Sequence, residues 1–251
     1  MRNKLTKELA VCGLNAVAAL GEYHPGRIKR LFLREDRLKQ LSGLCRTLAD
    51  WKKPYKLCDD EELERICKSS HHQGAVAMIE EPMAEPLSRE DLDLWSREGK
   101  TGLILVSVGN DHNLGAIVRS AAFFGAAYVV LSAADEAARL TTSAYRVAEG
   151  GMEHVEFRTL ANPALFLRSA AKSLVIIGAE HRARLRIRDL RTIVAGRPPG
   201  IALALGNEEN GLPPEIREHC TALVRIPGTG AMESLNVAQA ATLFLHELYE
   251  L

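Results

Sequence analysis

Short apolar runs alternate with helical stretches in the second half of the chain. The runs are partly β-branched and end at Gly, Asp or Pro, which is typical of strands buried on both faces of a parallel sheet. The apolar runs are LILVSV, AYVVLS, SLVIIGA, IALALG and LVRIP. The stretches with helical spacing are GAIVRSAAFFG, PALFLRSAAKS, PPEIREHC and SLNVAQAATLFLHELYEL. This alternation predicts an α/β domain with an open, mostly parallel sheet over residues 101–251.

The first eighty residues predict a smaller α/β unit. Helical spacing in LNAVAALGEY ends at Pro25 and Gly26, and ELERICKSS is also helical. RIKRLFLRE alternates like a strand, and GAVAMIEE is typical of a buried strand. Residues 82–100 contain two prolines, many acids and little apolar periodicity, with DLDLW as a candidate for a short helical turn. We therefore expect a small α/β domain at 1–81, a linker at 82–100 and a larger domain at 101–251.

Composition narrows the class of protein. The 251 residues are 47% hydrophobic and 25% charged, as in ordinary globular proteins. The sequence contains no run of eighteen apolar residues, so it predicts no membrane span. The N-terminus shows no clear hydrophobic core or cleavage site for export, so we expect a cytoplasmic protein. The five cysteines form no CxxC pair, which argues against a disulfide framework and a zinc site. We expect no metal.

Charge is uneven along the chain although its net value is zero. Residues 1–60 carry thirteen Lys and Arg against seven Asp and Glu, whereas residues 61–100 carry five against ten. A basic first segment is compatible with a polyanionic partner such as nucleic acid.

Three loops follow predicted strands, at the sheet edge where ligands of α/β proteins usually bind: VGNDHNLGAIVR, LGNEENGLPPE and IPGTGAMESLNV. GNEENGLP has the glycine spacing of a phosphate-binding Walker loop, but Leu and Pro stand where Lys and Ser or Thr are needed. Glu208 and Glu209 would also repel a phosphate. The loop therefore favours a cationic or neutral ligand held by backbone groups; the alternative is a tight turn with solvated acids.

Polar residues in the first and third loops lie beside apolar helical patterns. Ser234 and Asn236 precede a long helix, where capping of backbone N–H groups explains one of them but not both. Asn113 and Arg119 lie six residues apart and could converge through a bend between loop and helix. An arginine in so apolar a pattern is usually paired or binds an anion; the alternative is a side chain that extends into solvent.

The segments DHNLGAIVRSAAFFG, IALALGNEENGL and RIPGTGAMESLNVAQAA, in this order, resemble the three motifs of SpoU-type (TrmH-like) RNA 2′-O-ribose methyltransferases of the SPOUT superfamily. The motifs cover nearly all of 105–247, and AEGGMEHVEF resembles the segment between the first two. The N-terminal eighty residues resemble, more loosely, the small RNA-binding domain of many members.

The resemblance implies a trefoil-knotted catalytic domain that acts as a homodimer and binds S-adenosylmethionine. It implies RNA, ribosomal or transfer, as the substrate. The implied cofactor contacts are Leu205, Gly206, Gly211, Ile226 and Leu235. The implied catalytic positions are Asn113, Arg119, Glu208, Ser234 and Asn236.

The chemistry assigns a role to each catalytic position. The ribose 2′-oxygen must be aligned behind the methyl carbon, and its developing negative charge must be stabilised. The family often gives the proton-accepting role to the arginine aligned with Arg119, but a guanidinium stays protonated in proteins. We assign Arg119 to stabilising the alkoxide or holding the adjacent phosphate. Asn113 would orient the ribose and Arg119, and Glu208 would position Arg119 or the methionine end of the cofactor. Ser234 and Asn236 would fix their loop and reach the substrate.

Two basic stretches are candidate surfaces for RNA. The first is Arg27, Lys29, Arg30, Arg34 and Arg37, and the second is Arg182, Arg184, Arg186, Arg188 and Arg191. Phosphate contacts would make RNA affinity fall steeply with salt.

Three departures from the family pattern leave the subfamily open. VSVGNDHN lacks an Asp-Pro pair, NVAQA lacks a Ser after Val, and GTGAME is of its own kind. A knotted RNA-binding protein without turnover is one alternative function. An enzyme of another class, a hydrolase or nucleotide-binding protein, is the other, and the missing GxSxG and Walker Lys argue against it.

Overall fold

The computed structural model describes residues 8–132, 140–207 and 209–251. The strands are β1 (Glu8–Cys12), β2 (Ile28–Leu33), β3 (Tyr55–Leu57), β4 (Ala75–Glu80), β5 (Glu85–Pro86), β6 (Thr101–Leu105), β7 (Tyr128–Ser132), β8 (Glu156–Leu160), β9 (Leu174–Ala179), β10 (Leu185–Arg186), β11 (Gly200–Leu205) and β12 (Ala222–Arg225). The helices are α1 (Leu14–Tyr23), α2 (Ser42–Asp50), α3 (Asp60–Cys67), α4 (Arg89–Arg97), α5 (Asp111–Phe123), α6 (Thr142–Ala148), α7 (Pro163–Ala170), α8 (Leu190–Val194), α9 (Pro214–Arg217) and α10 (Val237–Tyr249). No helix within the described ranges is long and apolar enough to cross a membrane.

Two compact units make up the chain, Met1–Met83 with Leu140–Glu153 and Ala84–Arg139 with His154–Leu251. The first unit holds a four-stranded sheet in the order β1-β4-β2-β3, in which β2 and β3 are parallel and the other pairs antiparallel. β4 is buried at every position but its last because a strand lies on each side of it. The helices and strands predicted here are confirmed as α1, β2, α3 and β4.

A short segment, Leu140–Glu153, belongs to the first unit although it lies between β7 and β8 in the chain. A part-buried charge network centred on the buried Glu153 holds it there. One oxygen of Glu153 contacts His24 Nδ1 at 2.6 Å and accepts a hydrogen bond from Arg27 at 3.0 Å. Arg27 also donates to the Tyr145 hydroxyl at 2.8 Å. The sequence predicts one domain over 101–251 that includes this segment. Contacts between residues so far apart in sequence leave no local pattern from which the division could be predicted.

The second unit holds an eight-stranded sheet in the order β10-β12-β9-β11-β6-β7-β8-β5. Every neighbouring pair of strands in it is parallel, which confirms the predicted α/β class. β11 is buried at all six positions, and it lies between β6 and β9, which both precede it in the chain. This order is consistent with the trefoil knot that the family resemblance implies, and the knot itself stays a prediction.

The segment 82–100, which we expected to be a linker, contributes β5 and α4 to the second unit. Trp95 is fully buried and stacks on Tyr128 with ring centroids 5.0 Å apart. Its indole N–H donates to the carbonyl oxygens of Lys100 and Ile201, at 3.0 and 3.1 Å. One large aromatic side chain thus anchors the helix, which needs no long apolar stripe.

Candidate functional site

At the carboxyl edge of the parallel sheet, the strand order reverses between β6 and β11. The chain leaves β6 toward β7 on one side, whereas β11, the neighbour of β6, is followed by β12 on the other. Open α/β sheets bind ligands at such a point. A cavity of about 380 Å³ lies at this edge, lined by the segments that follow β9, β11 and β12 and by part of α10. Its size is within the range of small-molecule sites.

All five residues predicted to contact a cofactor line this one cavity: Leu205, Gly206, Gly211, Ile226 and Leu235. They come from two loops that are separate in sequence, and the parallel arrangement of β11 and β12 brings those loops to the same edge. Of the predicted catalytic residues, Ser234 lines the cavity as well. The structure thus brings six of the ten predicted site residues onto one surface.

Asn207 organises the loop in GNEENGL. Its side-chain oxygen accepts hydrogen bonds from the backbone N–H groups of Glu209 and Asn210, at 2.8 and 3.3 Å. Its amide nitrogen donates to the carbonyl oxygen of Ser107, at 3.0 Å, in the loop after β6. Asn207 therefore links the first two motif loops, a role that sequence analysis missed. Glu209 and Asn210 are exposed, and Glu209 also lines the cavity.

Gly206 and Gly211 close the base of this loop. The Gly211 N–H donates to the Asn207 carbonyl at 2.9 Å, and a Cβ atom on Gly206 would lie 2.2 Å from the Gly211 carbonyl group. Gly211 has φ of +64°, a conformation that L side chains rarely adopt. Both glycines are therefore required by the backbone path, and they leave backbone groups open to a ligand.

The charges on the cavity wall are mainly acidic. Glu180, Glu209 and Glu233 line it, against one guanidinium, that of Arg225. The Arg225 Nε is buried and has no acceptor among the described residues. Such a wall disfavours phosphate and fits the sulfonium cation of S-adenosylmethionine, as the sequence suggested. Within the described ranges, no cluster of His, Cys, Asp or Glu is arranged to hold a metal ion.

Glu180 is a cavity residue that sequence analysis missed. Its side chain is only 9% exposed, and its carboxylate accepts from the Arg182 backbone N–H at 3.2 Å. The same carboxylate contacts His181 Nδ1 at 3.1 Å and Arg217 at 3.5 Å. The position directly after β9, at the sheet edge shared with the other loops, was the available signal.

Asn113 and Asn236 meet between the first and third motifs. The side-chain oxygen of Asn236 caps α10 by accepting from the N–H groups of Ala238 and Gln239, at 2.9 and 3.4 Å. Its amide nitrogen donates to Asn113 Oδ1 at 3.0 Å. Of the two residues that the sequence offered as a cap, Asn236 caps α10, and Ser234 does not.

Arg119 lies further along the same helix as Asn113, on its exposed side. The bend that we expected between these two residues is absent from α5, which runs continuously from Asp111 to Phe123. Six residues of regular helix turn their side chains about 120° apart. Glu208 lies outside the described residues.

The two candidate RNA surfaces differ in how their charges are paired. Each basic residue of the first contacts a carboxylate; Arg34, for example, binds both oxygens of Asp60 and both oxygens of Asp36. In the second, Arg182, Arg184 and Arg188 are exposed, and the segment begins directly after the cavity residue His181. The pairing neutralises much of the first surface, so the second has the better support.

Comparison with known proteins identifies the family of the chain. Residues 100–246 match the family model described as the SpoU rRNA Methylase family. Residues 10–84 match the model for RNA 2′-O ribose methyltransferase substrate binding. The chain is 31% identical over 247 residues to the 23S rRNA (guanosine-2′-O-)-methyltransferase RlmB of Nitrosomonas europaea, covering 98% of this chain and 92% of that protein.

Two further proteins are similar over almost the whole chain. The uncharacterized tRNA/rRNA methyltransferase YfiF of Escherichia coli O157:H7 is 30% identical, over 98% of this chain and 69% of YfiF. The structure of an rRNA methyltransferase from Sinorhizobium meliloti with bound AdoMet superposes with a TM-score of 0.77 at 25% identity, covering 98% of this chain and 88% of that one. The chain therefore belongs to the SpoU rRNA methylase family of RNA 2′-O-ribose methyltransferases.

Proposed function

We propose that this chain transfers the methyl group of S-adenosylmethionine to the ribose 2′-hydroxyl of a guanosine in 23S ribosomal RNA. The cavity at the carboxyl edge of the parallel sheet, formed by the family's motif loops, carries the proposal. The names of relatives about 31% identical over nearly the whole chain support ribosomal RNA and guanosine. With ribosomal RNA as the substrate, we expect the enzyme to act in the cytoplasm.

The cavity residues would hold the cofactor, which supplies a methyl group on a positively charged sulfur. Leu205, Ile226 and Leu235 provide apolar walls, and Gly206 and Gly211 expose backbone groups. The carboxylates of the wall favour the cationic end. The loop GNEENGLP has no lysine at the position where a Walker loop uses one to bind phosphate, and this distinguishes the site from a nucleoside-triphosphate site.

The exposed end of the site would bind the ribose. Asn236 fixes Asn113 through their hydrogen bond, so that Asn113 can orient the sugar. Arg119, on the exposed side of α5, would stabilise the developing alkoxide or hold the adjacent phosphate. Ser234, on the cavity wall, would reach the substrate from the third loop, and Glu208 keeps its proposed role in positioning Arg119 or the cofactor.

We also propose that the enzyme is a homodimer formed through the second unit. Helices α5 and α10 pack together, joined by a 2.7 Å hydrogen bond between Ser120 and Thr242. Their outer side exposes large apolar side chains, with Phe123 81%, Tyr249 66% and Leu243 43% exposed. An apolar patch of this kind commonly marks a protein interface. A second copy of the chain is the proposed partner.

Radiolabelled methyl transfer tests the function. The purified protein is incubated with labelled S-adenosylmethionine and 23S rRNA from a strain that lacks the gene, and the modified nucleotide is mapped. We expect label at one guanosine ribose. Label on a base, or on transfer RNA alone, would contradict the proposed substrate.

Arg119→Ala separates catalysis from binding. We expect kcat at saturating RNA to fall by about 10²–10³-fold, the usual effect of removing one charge-stabilising donor. Calorimetry should give an unchanged Kd for S-adenosylmethionine, and a melting curve verifies that the variant is folded. Wild-type transfer by this variant would refute the role of Arg119. A wild-type protein that binds cofactor and RNA without transfer would instead be the non-catalytic RNA-binding protein.

A further inference from the structure

We propose that a surface of the first unit stacks an unpaired base of the RNA substrate on Trp51. The surface, called here the Trp51 surface, consists of Lys29, Trp51, Lys52, Lys53 and Tyr55. The inference rests on the proposed function, since it identifies where the RNA of that reaction is held. It replaces the first basic stretch, whose arginines are engaged by carboxylates, as the docking surface of this unit.

The Trp51 surface lies at an open edge of the four-stranded sheet. Helix α2 ends at Asp50, and β3, the edge strand, begins at Tyr55. All three residues of β3 are exposed. Trp51 is 49% and Tyr55 44% exposed, although aromatic side chains of this size are usually covered. Both half-exposed rings lie near this open edge, where their faces are accessible to a planar ligand.

Backbone and side-chain contacts fix the position of Trp51. The N–H groups of Trp51 and Lys53 donate to the carbonyl oxygens of Thr47 and Leu48, at 3.1 and 2.8 Å. Lys53 Nζ donates to the Gly26 carbonyl at 2.7 Å and lies 5.2 Å from the centre of the Trp51 ring. The indole is therefore oriented before any ligand arrives, which lowers the entropic cost of stacking.

The charge around the rings is positive. Partial burial, and then the positive charge of Lys29, lower the pKa of Lys53. Lys52 is exposed. Lys29 contacts Glu80 at 3.3 Å, but both side chains are about half exposed or more, so this pair is weak. A phosphate group would relieve the repulsion between the lysines.

A surface on which aromatic side chains lie among lysines suits a single-stranded nucleic acid better than a protein partner. Bases that are splayed from RNA loops stack on Trp and Tyr while cations hold the flanking phosphates. Protein interfaces, in contrast, are depleted in lysine at their centres. An RNA duplex offers phosphates but no free base face. An unpaired nucleotide is thus the occupant that uses both features of the Trp51 surface.

Intrinsic fluorescence gives a direct test, because the chain has two tryptophans and Trp95 is fully buried. The probe is a mixed-sequence single-stranded RNA of about twelve nucleotides, long enough to cover one binding site. We expect it to quench Trp51. An RNA duplex of the same length and heparin, which offer anionic groups without free bases, should quench far less. Equal quenching by heparin would overturn the proposal in favour of a simple anion site.

Substitution identifies the residues. The double variant Trp51→Ala/Tyr55→Ala should bind the single-stranded probe roughly five- to hundredfold more weakly, as expected for one lost stacking contact. Trp51→Phe should keep most of the affinity. The control Arg34→Gln/Asp36→Asn removes an ion pair of the first basic stretch without changing net charge, and should bind as wild type. Unchanged binding by the double variant would overturn the proposal.

Methyl transfer distinguishes failure of this inference from failure of the proposed function. With 23S rRNA, the double variant should show a raised KM and an unchanged kcat, since a stacking contact that does not touch the reacting atoms is lost equally from ground and transition states. If wild type transfers methyl and the variant matches its KM, only the inference fails. If wild type transfers no methyl to RNA, the proposed function fails. A shift from dimer to monomer in the variant, seen by sedimentation, would make this surface a protein interface and overturn the inference.

Discussion

Gly206 and Gly211 approach each other at the base of the second motif loop, and this contact sets the first prediction. A Cβ atom on Gly206 would lie 2.2 Å from the Gly211 carbonyl, so Gly206→Ala must displace backbone rather than a flexible side chain. We expect at least about a tenfold weaker Kd for S-adenosylmethionine by calorimetry, because misplacement near 1 Å in a positioned site is costly.

Gly228→Ala is the matched control for that experiment. Gly228 lines the same cavity, and a Cβ atom there would meet nothing within 4 Å. We expect its melting temperature to equal that of wild type and its Kd to stay close to that of wild type. If both variants weaken binding equally, crowding of the cavity rather than the contact with Gly211 explains the loss.

At the residue scale, the apolar residues and glycines predicted to contact the cofactor line one cavity, whereas several polar contacts in the loops were not predicted. Leu205 ends a recognisable strand, and Gly206 and Gly211 follow it, so their place at the sheet edge could be predicted from their order in the sequence. Glu180 and Asn207 were missed because their contacts, with Arg217 and the Ser107 carbonyl, join segments that only the folded sheet brings together.

Helix α10 depends on Asn236 in two separable ways. Asn236→Ala removes the cap and should lower the free energy of unfolding by about 1 kcal/mol. Asn236→Ser keeps a capping oxygen but is too short to reach Asn113, which accepts from the native side chain at 3.0 Å. We expect the Ser variant to unfold like wild type yet to have a lower kcat. Equal kcat for Ser and wild type would show that the bond to Asn113 does not support catalysis.

Helix α4 is held to β8 by a part-buried ion pair between Asp91 and Arg158, with two hydrogen bonds of 3.0 Å. Burial alone would raise the pKa of Asp91, but the bonds from Arg158 and Ser88 outweigh burial and hold it below its ordinary value of 3.8. A carboxyl with a lowered folded pKa stabilises the fold above its unfolded pKa. That stabilisation is lost as the pH falls below about 3.8.

Asp91→Asn should therefore lower the free energy of unfolding by about 1–3 kcal/mol at pH 7, the usual worth of charged hydrogen bonds. The difference from wild type should shrink below about pH 3.5. Fluorescence of Trp95 in a Trp51→Phe background reports unfolding of this unit. Asp36→Asn, at an exposed ion pair in the first unit, should leave this pH profile unchanged, because Trp95 lies in the second unit and reports the unfolding of that unit. A constant difference between pH 7 and pH 3 would contradict the assignment to Asp91.

The same pair explains why 82–100 resembled a linker in sequence. Its helix is stabilised by a capping box at Ser88, by Arg158 and by one buried Trp95. None of these produces the repeated apolar spacing by which helices are recognised. Strand β8 is similarly polar, with one buried position of five, because it lies near the edge of the sheet.

At the scale of the whole molecule, the exposed apolar patch on α5 and α10 predicts self-association. Phe123→Glu should convert a dimer to a monomer in sedimentation, because a buried unpaired carboxylate is costly. Leu165→Glu is the control, since Leu165 is 64% exposed on α7, outside the patch. A dimer that survives Phe123→Glu would move the interface elsewhere.

The division into units was only partly predictable. The α/β class, the parallel sheet and the small N-terminal unit follow from runs of apolar residues that each act locally. The return of Leu140–Glu153 to the first unit does not, because it depends on Glu153 meeting His24 and Arg27. Charge pairs between distant segments set this boundary.

The position of β11 has a consequence for synthesis on the ribosome. β11 joins β6 to β9, and it is translated after both. Until residue 205 has emerged, the nascent chain carries three unpaired inner strand edges, one on β6 and both on β9, because β12 also follows β11. Such edges pair readily with other chains. A ribosome that stalls shortly before β11 would therefore leave an aggregation-prone fragment rather than a shortened enzyme. Quality control of interrupted translation, and not only the finished protein's stability, would then limit how much active enzyme a cell obtains.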